Sequence, residues 1–451
     1  MSLLKKVKGS WPRSWPIVLF LVFIDYGVIN SEENLLSFGD ALKIASSRGL
    51  SVLKSQNVVA DRENSVRQSK GTFYPSASAG LSAGKSATFP DGYSSPGQGS
   101  ANLGLNYSLS ASSFASHDAT KYSLRSAAAS LEQTRNSIML EAAQKFIAVI
   151  SAQAAIDVQK ANLESQTQQL EEISAFYDHG RKAISDVLQQ KTAVSEAQSR
   201  LLSTQYDFEN KKMELFTLLG LPLDTNVQLE NSEVWNIAEM FASKDTVITA
   251  PKADTITLPQ IAAQKNALAA TQKNLDAAKR AWWPSLDFSA SISDDVRFSG
   301  RNSGSDGTAN ARASVSVSIP IFDKFQRSSK ITSTEISLNS AKLALEELER
   351  DIELSEKKAR LNFSLAQKQT EVVKTQLESA RQSLDAIQER YSVGAATLTE
   401  VSSVNTQYLN AQLADIDARL QIVSSYINIL HENGIISAIV DKDQKLPKEE
   451  N

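Results

Sequence analysis

Cysteine is absent from the 451 residues. That excludes a disulfide framework, thiolate catalysis, zinc–thiolate sites and a lipid anchor on an N-terminal cysteine. Histidine is nearly absent: with only His117, His179 and His431, a histidine metal site has little to build on, and no cofactor is expected. The net charge of −4 supplies no basic surface, so no nucleic-acid partner is expected. No Ser/His/Asp spacing, phosphate loop or metal-ligand cluster occurs, and the carboxylates fall on solvated helical faces, which argues against an enzyme. Long apolar runs are also missing. The run at 17–24 holds eight apolar residues behind Lys5, Lys6, Lys8 and Arg13, against roughly 20 needed for a membrane helix. Residues 1–31 therefore read as a secretory signal, with Ile29 and Ser31 marking its cleavage site weakly. An uncleaved anchor is the alternative. The mature chain is expected to be exported and to have no helical span.

What the chain has is a repeat. Residues 391–434 shifted back by 214 positions fall without a gap on 177–220. Tyr391 meets Tyr177, Gly394 meets Gly180, Glu400 meets Asp186, Val401 meets Val187, Ala411 meets Ala197 and Gly434 meets Gly220. The organisation read from this is a first repeat at 32–220, a connector at 221–257, a second repeat at 258–436 and a polar tail at 437–451. Only 41% of residues are apolar, and Ala, Ser, Gln and Leu are abundant. That mixture suits long helices with narrow apolar seams better than a thick core.

Each repeat contains a change of period. Ala77, Ala79, Leu81 and Ala83 alternate with Ser76, Ser78, Gly80 and Ser82; Ala101, Leu103, Leu105, Tyr107 and Leu109 alternate with polar residues or glycine. In the second repeat Leu286, Phe288, Ala290 and Ile292 alternate, then Ala311, Ala313, Val315, Val317, Ile319 and Ile321. Period 2 marks strands with one apolar and one polar face. The β-hairpins are placed at 76–110 and 285–321, with loops at 85–100 and 294–310. Each is preceded by an aromatic–proline segment, ending at Pro75 and at Pro284.

The helical hairpins are placed at 115–220 and 325–434. Leu124, Leu131 and Ile138 are seven apart, as are Val149, Ile156, Leu163, Leu170 and Tyr177, with an eleven-residue step between the series. Leu338, Leu345 and Ile352, then Phe363, Thr370, Leu377, Leu384 and Tyr391, repeat the pattern. Sevens mean a left-handed coiled coil, and an added four locally unwinds it. The return helices keep the spacing, with Asp415 as one break. A helix over 115–179 spans roughly 100 Å. The shorter helices before the strands (38–69 in the first repeat) and after the glycine turns, stacked end to end, match that length. Strands then stand at one end and glycine turns at the other, with the connector around the middle.

Four two-faced strands cannot close a barrel, and the smallest membrane barrels need about eight. Open edges in lipid cost several kcal/mol per backbone group. Copies of the chain must therefore share a barrel, unless the hairpins form a soluble cap on a coiled coil.

This layout, with Tyr391-Ser392-Val393-Gly394, Thr399-Glu400-Val401, Ile319-Pro320-Ile321-Phe322 and the aromatic–proline segments, resembles the TolC-like outer-membrane factors over 36–436. The resemblance implies a homotrimer in the outer membrane of a Gram-negative bacterium, in contact with its lipid. A twelve-stranded β-barrel, four strands per chain, would continue into a periplasmic α-helical barrel of coiled coils. It implies a passive exit duct for tripartite drug efflux or type I secretion, opened when an inner-membrane pump or ABC transporter docks with a periplasmic adaptor. The rival is an exported periplasmic adaptor or coiled-coil scaffold without a pore.

By the same resemblance Glu400 falls where acids ring the channel constriction, and Ser403 stands where a second acid often follows. The other reading of Glu400 is a first-turn helix acid. Asp186 and Tyr391 match an inter-hairpin latch whose arginine is replaced here by Ala396, with Arg181 and Lys182 as possible substitutes. Tyr391 reads equally as the last core residue of its heptads. His179, Gly180 and Arg181, with Val393, Gly394 and Ala395, match the tips that meet the adaptor; both glycines also fit helix-ending turns.

Overall fold

The computed structural model describes residues 35–85, 87–88, 93–94, 97–223, 227–242, 258–298, 304–305 and 309–439. The signal at 1–31, most of the tail and the end of the connector lie outside them. Helices α1 (Phe38–Arg48) and α2 (Leu50–Gly71) lead into strands β1 (Ser76–Gly84) and β2 (Gly97–Ser110). Next come α3 (Ala111–Asp178), α4 (Ile184–Leu219) and α5 (Ser232–Ala242). Helix α6 (Pro259–Arg280), strands β3 (Ser285–Phe298) and β4 (Asn310–Ser318), and helices α7 (Gln326–Ser392) and α8 (Leu398–Glu432) follow. Helices α3 and α7 have 68 and 67 residues, each roughly 100 Å long.

All four long strands form one antiparallel sheet in the order β1-β2-β3-β4, with the two-residue strand Gly304–Ser305 beside the end of β3. The register sorts the faces. Ala79, Leu103, Ile292 and Ala311 form one row, while Gly80, Asn102, Ser293 and Asn310 form the next. From Ala79 down to Leu109 the apolar residues oppose apolar neighbours across the sheet, and a one-residue slip would mix the faces. The apolar face is uncovered: Leu81 is 89% exposed and Val315 67%. The outer edges of β1 and β4 have no partner among the described residues.

The helices stack as the repeat requires. Helix α4 ends at Gly220, where an added Cβ would lie 3.8 Å from the Arg48 carbonyl oxygen at the end of α1. Helix α8 ends at Gly434, where a Cβ would lie 2.9 Å from the Leu258 side chain at the start of α6. Short helices thus meet end to end alongside α3 and α7. The main core is at this mid-height, where Phe38, Leu42, Phe146, Ile150, Leu215, Phe216, Val234 and Ile427 pack together. Phe38 meets Phe146 edge-to-face at 5.4 Å. A second cluster centres on Phe241, which meets Phe363 at 5.6 Å and Tyr426 at 4.5 Å. The eleven-residue step in each long helix falls here. Between Ile138 and Val149, α3 also buries Met139, Ala142, Ala143, Phe146 and Ile147, a stripe too wide for a two-helix seam.

Several expectations are corrected. The helix expected over 38–69 is two helices divided at Gly49, where a Cβ would stand 2.6 Å from the Ala45 carbonyl oxygen and 3.2 Å from Ile138. Close packing on α3 sets that break. Strand β3 runs to Phe298, into the expected loop, because β2 pairs with it back to Gly97. Strand β4 stops at Ser318, before Ile319-Pro320-Ile321; proline has no N–H for the ladder. The connector contains a helix, α5, which buries Val234, Ala238 and Phe241. Tyr177, expected in the seam, is 41% exposed. The break at Asp415 is buried and ion-paired with Arg419 at 2.8 Å. Helix α3 also contains an 18-residue window apolar enough by composition to cross a bilayer, which the sequence reading passed over. Half of that window is buried within the chain.

Phe146 is fully buried at the centre of this packing. Phe146→Ala is expected to destabilise the fold by about 3–5 kcal/mol, read as a lowered thermal midpoint by circular dichroism in detergent. A midpoint equal to wild type would show that the mid-height core does not hold the stacked helices together.

Candidate functional site at the hairpin tips

Both long hairpins turn by the same device. Gly180 and Gly394 take φ of 71° and 77°, a conformation glycine adopts without a Cβ penalty. At the first tip Arg181 N–H donates to the Phe176 carbonyl at 2.8 Å and Gly180 N–H to Tyr177 at 2.8 Å. At the second, Ala395 N–H donates to Arg390 at 2.8 Å and Gly394 N–H to Tyr391 at 3.1 Å. These are Schellman closures, which satisfy the last helical carbonyls. An added Cβ would meet nothing within 4 Å at either glycine, so φ alone demands glycine there. His179, Gly180, Arg181, Val393, Gly394 and Ala395 are all exposed, Val393 at 78%.

The two tips touch one another within one chain. Leu398, the first residue of α8, is buried with Ile173 of α3 and Val187 of α4. Gln189 Nε2 donates to Thr399 Oγ1 at 3.1 Å, and Asn405 Nδ2 to Asn162 Oδ1 at 3.1 Å. Lys182 Nζ stands 3.9 Å from the centre of the Tyr391 ring, a cation–π contact across the tips. Lys182, named as a substitute for the missing arginine, thus does reach Tyr391. Arg181 instead covers Phe176 at 5.0 Å.

Tyr391 joins two apolar clusters, Ile173/Val187/Leu398 and Leu384/Ile387/Val401. Its hydroxyl is buried and has no hydrogen-bond partner among the described residues. Asp186 accepts from the Ser185 hydroxyl at 3.4 Å, so the Asp186–Tyr391 bond is not made within one chain. Ala396, at the place of the arginine, packs against Leu384, Ile387 and Val401. A small apolar side chain fits there, and a guanidinium would have to leave that cluster to reach a polar partner.

Glu400 caps its own helix. Its Oε2 accepts from the Thr397 backbone N–H at 2.7 Å and the Thr397 hydroxyl at 2.9 Å, while Thr397 Oγ1 accepts from the Glu400 N–H at 3.3 Å. This capping box satisfies donors that helix starts leave orphaned. The Thr397 backbone bond is the main cause holding the Glu400 carboxyl below its ordinary range, followed by the Thr397 hydroxyl; the Arg390 charge acts the same way. Within one chain, then, the first-turn reading of Glu400 describes its contacts, and the shift is opposite to that expected of a carboxylate ring. Ser403 is exposed one turn further along α8. The sequence reading missed Thr397, although Thr-x-x-Glu before an apolar run is a legible capping signal. The counterpart Asp186 has no such box, because its N-cap is Ala183 and no side chain caps α4. No group of acidic or histidine residues fit to hold a metal occurs among the described residues.

Comparison with known proteins places this architecture. The family model described as "Outer membrane efflux protein" matches residues 42–221 and 257–431. The outer membrane protein TolC of Escherichia coli (strain K12) is 21% identical over 442 residues, covering 94% of this chain and 86% of that protein. The Campylobacter jejuni CmeC outer membrane channel has a similar fold, with TM-score 0.73 and 13% identity over 88% of this chain and 86% of that one. The outer membrane protein VceC of Vibrio cholerae gives 0.70 and 17%, over 88% and 96%.

Removing the Thr397 hydroxyl tests the cap. Thr397→Ala is expected to speed amide exchange in the first turn of α8 about fivefold, with the first turn of α4 unchanged. Glu400 has a depressed folded pKa, so its contribution is present above the ordinary carboxylate range and is lost as pH falls through the folded value. The wild-type turn should therefore loosen on acidification, and Thr397→Ala, which keeps the backbone N–H but loses the hydroxyl, should weaken that pH dependence in part. Equal exchange in both proteins at neutral pH would remove the capping role.

Proposed function

The chain belongs to the outer membrane efflux protein family, and from that premise we propose that it is the outer-membrane exit duct of a tripartite machine. Three copies contribute four strands each to a twelve-stranded barrel, and their helices continue it as a periplasmic tunnel. The observation that carries this reading is the sheet: an apolar face left exposed, an opposite face mainly of Ser, Asn and Gly with Asp287 and Arg312, and two edges with no partner among the described residues. Such a sheet is incomplete alone and stable in lipid only when closed. A second observation supports the assembly. On α7, Ile336, Leu343, Leu354 and Leu361 are all exposed, at steps of seven, eleven and seven. This stripe repeats the helix's own coiled-coil spacing and faces no neighbour in the single chain, as a contact with an adjacent copy requires.

The duct has no energy source of its own. The exposed tips at 179–181 and 393–395 are where an inner-membrane pump or ABC transporter and its periplasmic adaptor would engage it. At the mouth, Glu400 supplies one carboxylate per copy. Carboxylates crowded in a pore raise one another's pKa, and the two Thr397 donors act against that, keeping the ring ionised and cation-attracting. Asp186 and Tyr391 would then bond between neighbouring copies, which requires the Tyr391 ring to turn its enclosed hydroxyl toward the neighbour. Drug efflux and type I protein secretion use the same geometry; deleting the gene and scoring both drug susceptibility and the secreted proteome separates them.

Fractionation tests the assembly: a heat-modifiable trimer in the outer-membrane fraction is expected, and a soluble periplasmic species would favour the adaptor reading and sink this one. Planar bilayers test the mouth. Glu400→Gln can keep the capping geometry, since glutamine also serves in a capping box, yet it removes the charge. Reduced cation selectivity with exchange at the first turn of α8 preserved is expected. Unchanged selectivity would take Glu400 out of the constriction.

A further inference from the structure

We propose that the foot of the sheet on its apolar side is a binding site for one anionic phospholipid per chain, its phosphate held by Arg280 and its acyl chain laid along the lowest apolar row. The proposal rests on the reading of the sheet as membrane-inserted. The site is a groove of about 350 Å³ where β2, β3 and β4 meet the ends of α6 and α3. Leu109, Leu286 and Val317 form its wall. They are paired in register across three strands, so they make one continuous row. Phe114 and Pro284 close the lower side, and Arg280 stands beside them.

Charge decides the ligand class. The neighbouring cations are committed: Lys279 pairs with Glu335 at 3.2 Å, and Arg327 pairs with Asp323 at 3.2 Å while covering the Trp282 ring at 5.7 Å. Arg280 is exposed; its carbonyl accepts from the Trp283 N–H at 3.0 Å, and its guanidinium has no ion pair or hydrogen bond among the described residues. A guanidinium matches a phosphate with two parallel N–H···O bonds. Beside it the apolar row supplies a surface that a free anion cannot use and an acyl chain can. Trp282 and Trp283 follow Arg280 closely in sequence, and Trp283 is 64% exposed; indoles favour the level of lipid headgroups. Aligned on Pro75 and Pro284, the first repeat has Gly71 where the second has Arg280. The first repeat thus has no cation at the place of Arg280.

The test uses the full chain in nanodiscs with equal phosphatidylglycerol and phosphatidylcholine, with retained lipids counted by native mass spectrometry. Wild type is expected to retain one phosphatidylglycerol per chain, preferred about fivefold over phosphatidylcholine. Arg280→Gln should bring that preference to parity, and Arg280→Lys should keep part of it. A preference equal to wild type in Arg280→Gln overturns the site. Displacement of the lipid by inorganic phosphate alone also overturns it, assigning Arg280 to a free anion. Flotation with neutral phosphatidylcholine vesicles separates the two levels of the argument. If wild type does not float, the membrane reading fails and the site with it. If both proteins float and keep equal preferences, the site alone fails.

Discussion

Backbone hydrogen bonding at the two outer strands is the constraint on which the rest of the architecture depends. Within the chain, β2 and β3 are fourteen residues long and pair with each other over that whole length, while β1 and β4 are nine residues long and each pairs on one side only. In water such edges can be solvated. Against hydrocarbon each unpaired N–H or C=O is costly, and this sheet shows an apolar face to its surroundings. In the proposed duct the strands would find partners in further copies. Sheet closure would then fix the number of copies around the helical part as well, since α2, α3, α6 and α7 leave the same sheet.

The helices solve a second problem, that of length. A helix of roughly 100 Å needs a packing partner along its whole course. In each half that partner is made from two shorter helices meeting end to end. The joints are placed where glycine ends a helix, at Gly220 against α1 and at Gly434 against Leu258. A joint leaves carbonyls and apolar surface to be covered, and the aromatic clusters around Phe146 and Phe241 are concentrated at that height. The eleven-residue steps in α3 and α7 belong to the same solution: a locally unwound helix turns a broader apolar stripe toward more than one neighbour.

The sequence makes some of this legible and some not. Alternation in the strands is legible because apolar residues at every second place have one geometric meaning. The mid-height helix break at Gly49 is not, because it depends on close approach to Ile138 of α3, far away in sequence. The extension of β3 through Asp294 to Phe298 is hidden for the same reason: its polar residues are strand only because β2 pairs with them. Helix α5 has an apolar face, but the surrounding polar composition masked it. The glycine turns at the tips (Gly180, Gly394) and at the mid-height joints (Gly220, Gly434) are readable from residue type and repeat spacing alone. Lys182 and Arg181 are both available in the sequence as substitutes for the missing arginine, and spacing does not show that Lys182 lies over Tyr391, whereas the Thr397–Glu400 box is legible as Thr-x-x-Glu.

That box makes the two tips unequal in a way the repeat alone does not disclose. Asp186 and Glu400 occupy the same place in their hairpins, and both stand in a helix first turn where an acid is favoured. Thr397 against Ala183 is the difference that matters. The threonine hydroxyl and backbone N–H lock the start of α8, whereas α4 begins without any side-chain cap. The start of α8 is also anchored by Leu398, buried between Ile173 and Val187. Helix α4 presents Ile184, at the matching position, 51% exposed. Local opening costs least where fewest buried contacts and hydrogen bonds must be broken. Local opening of the first helical turn therefore costs less at the start of α4 than at the start of α8.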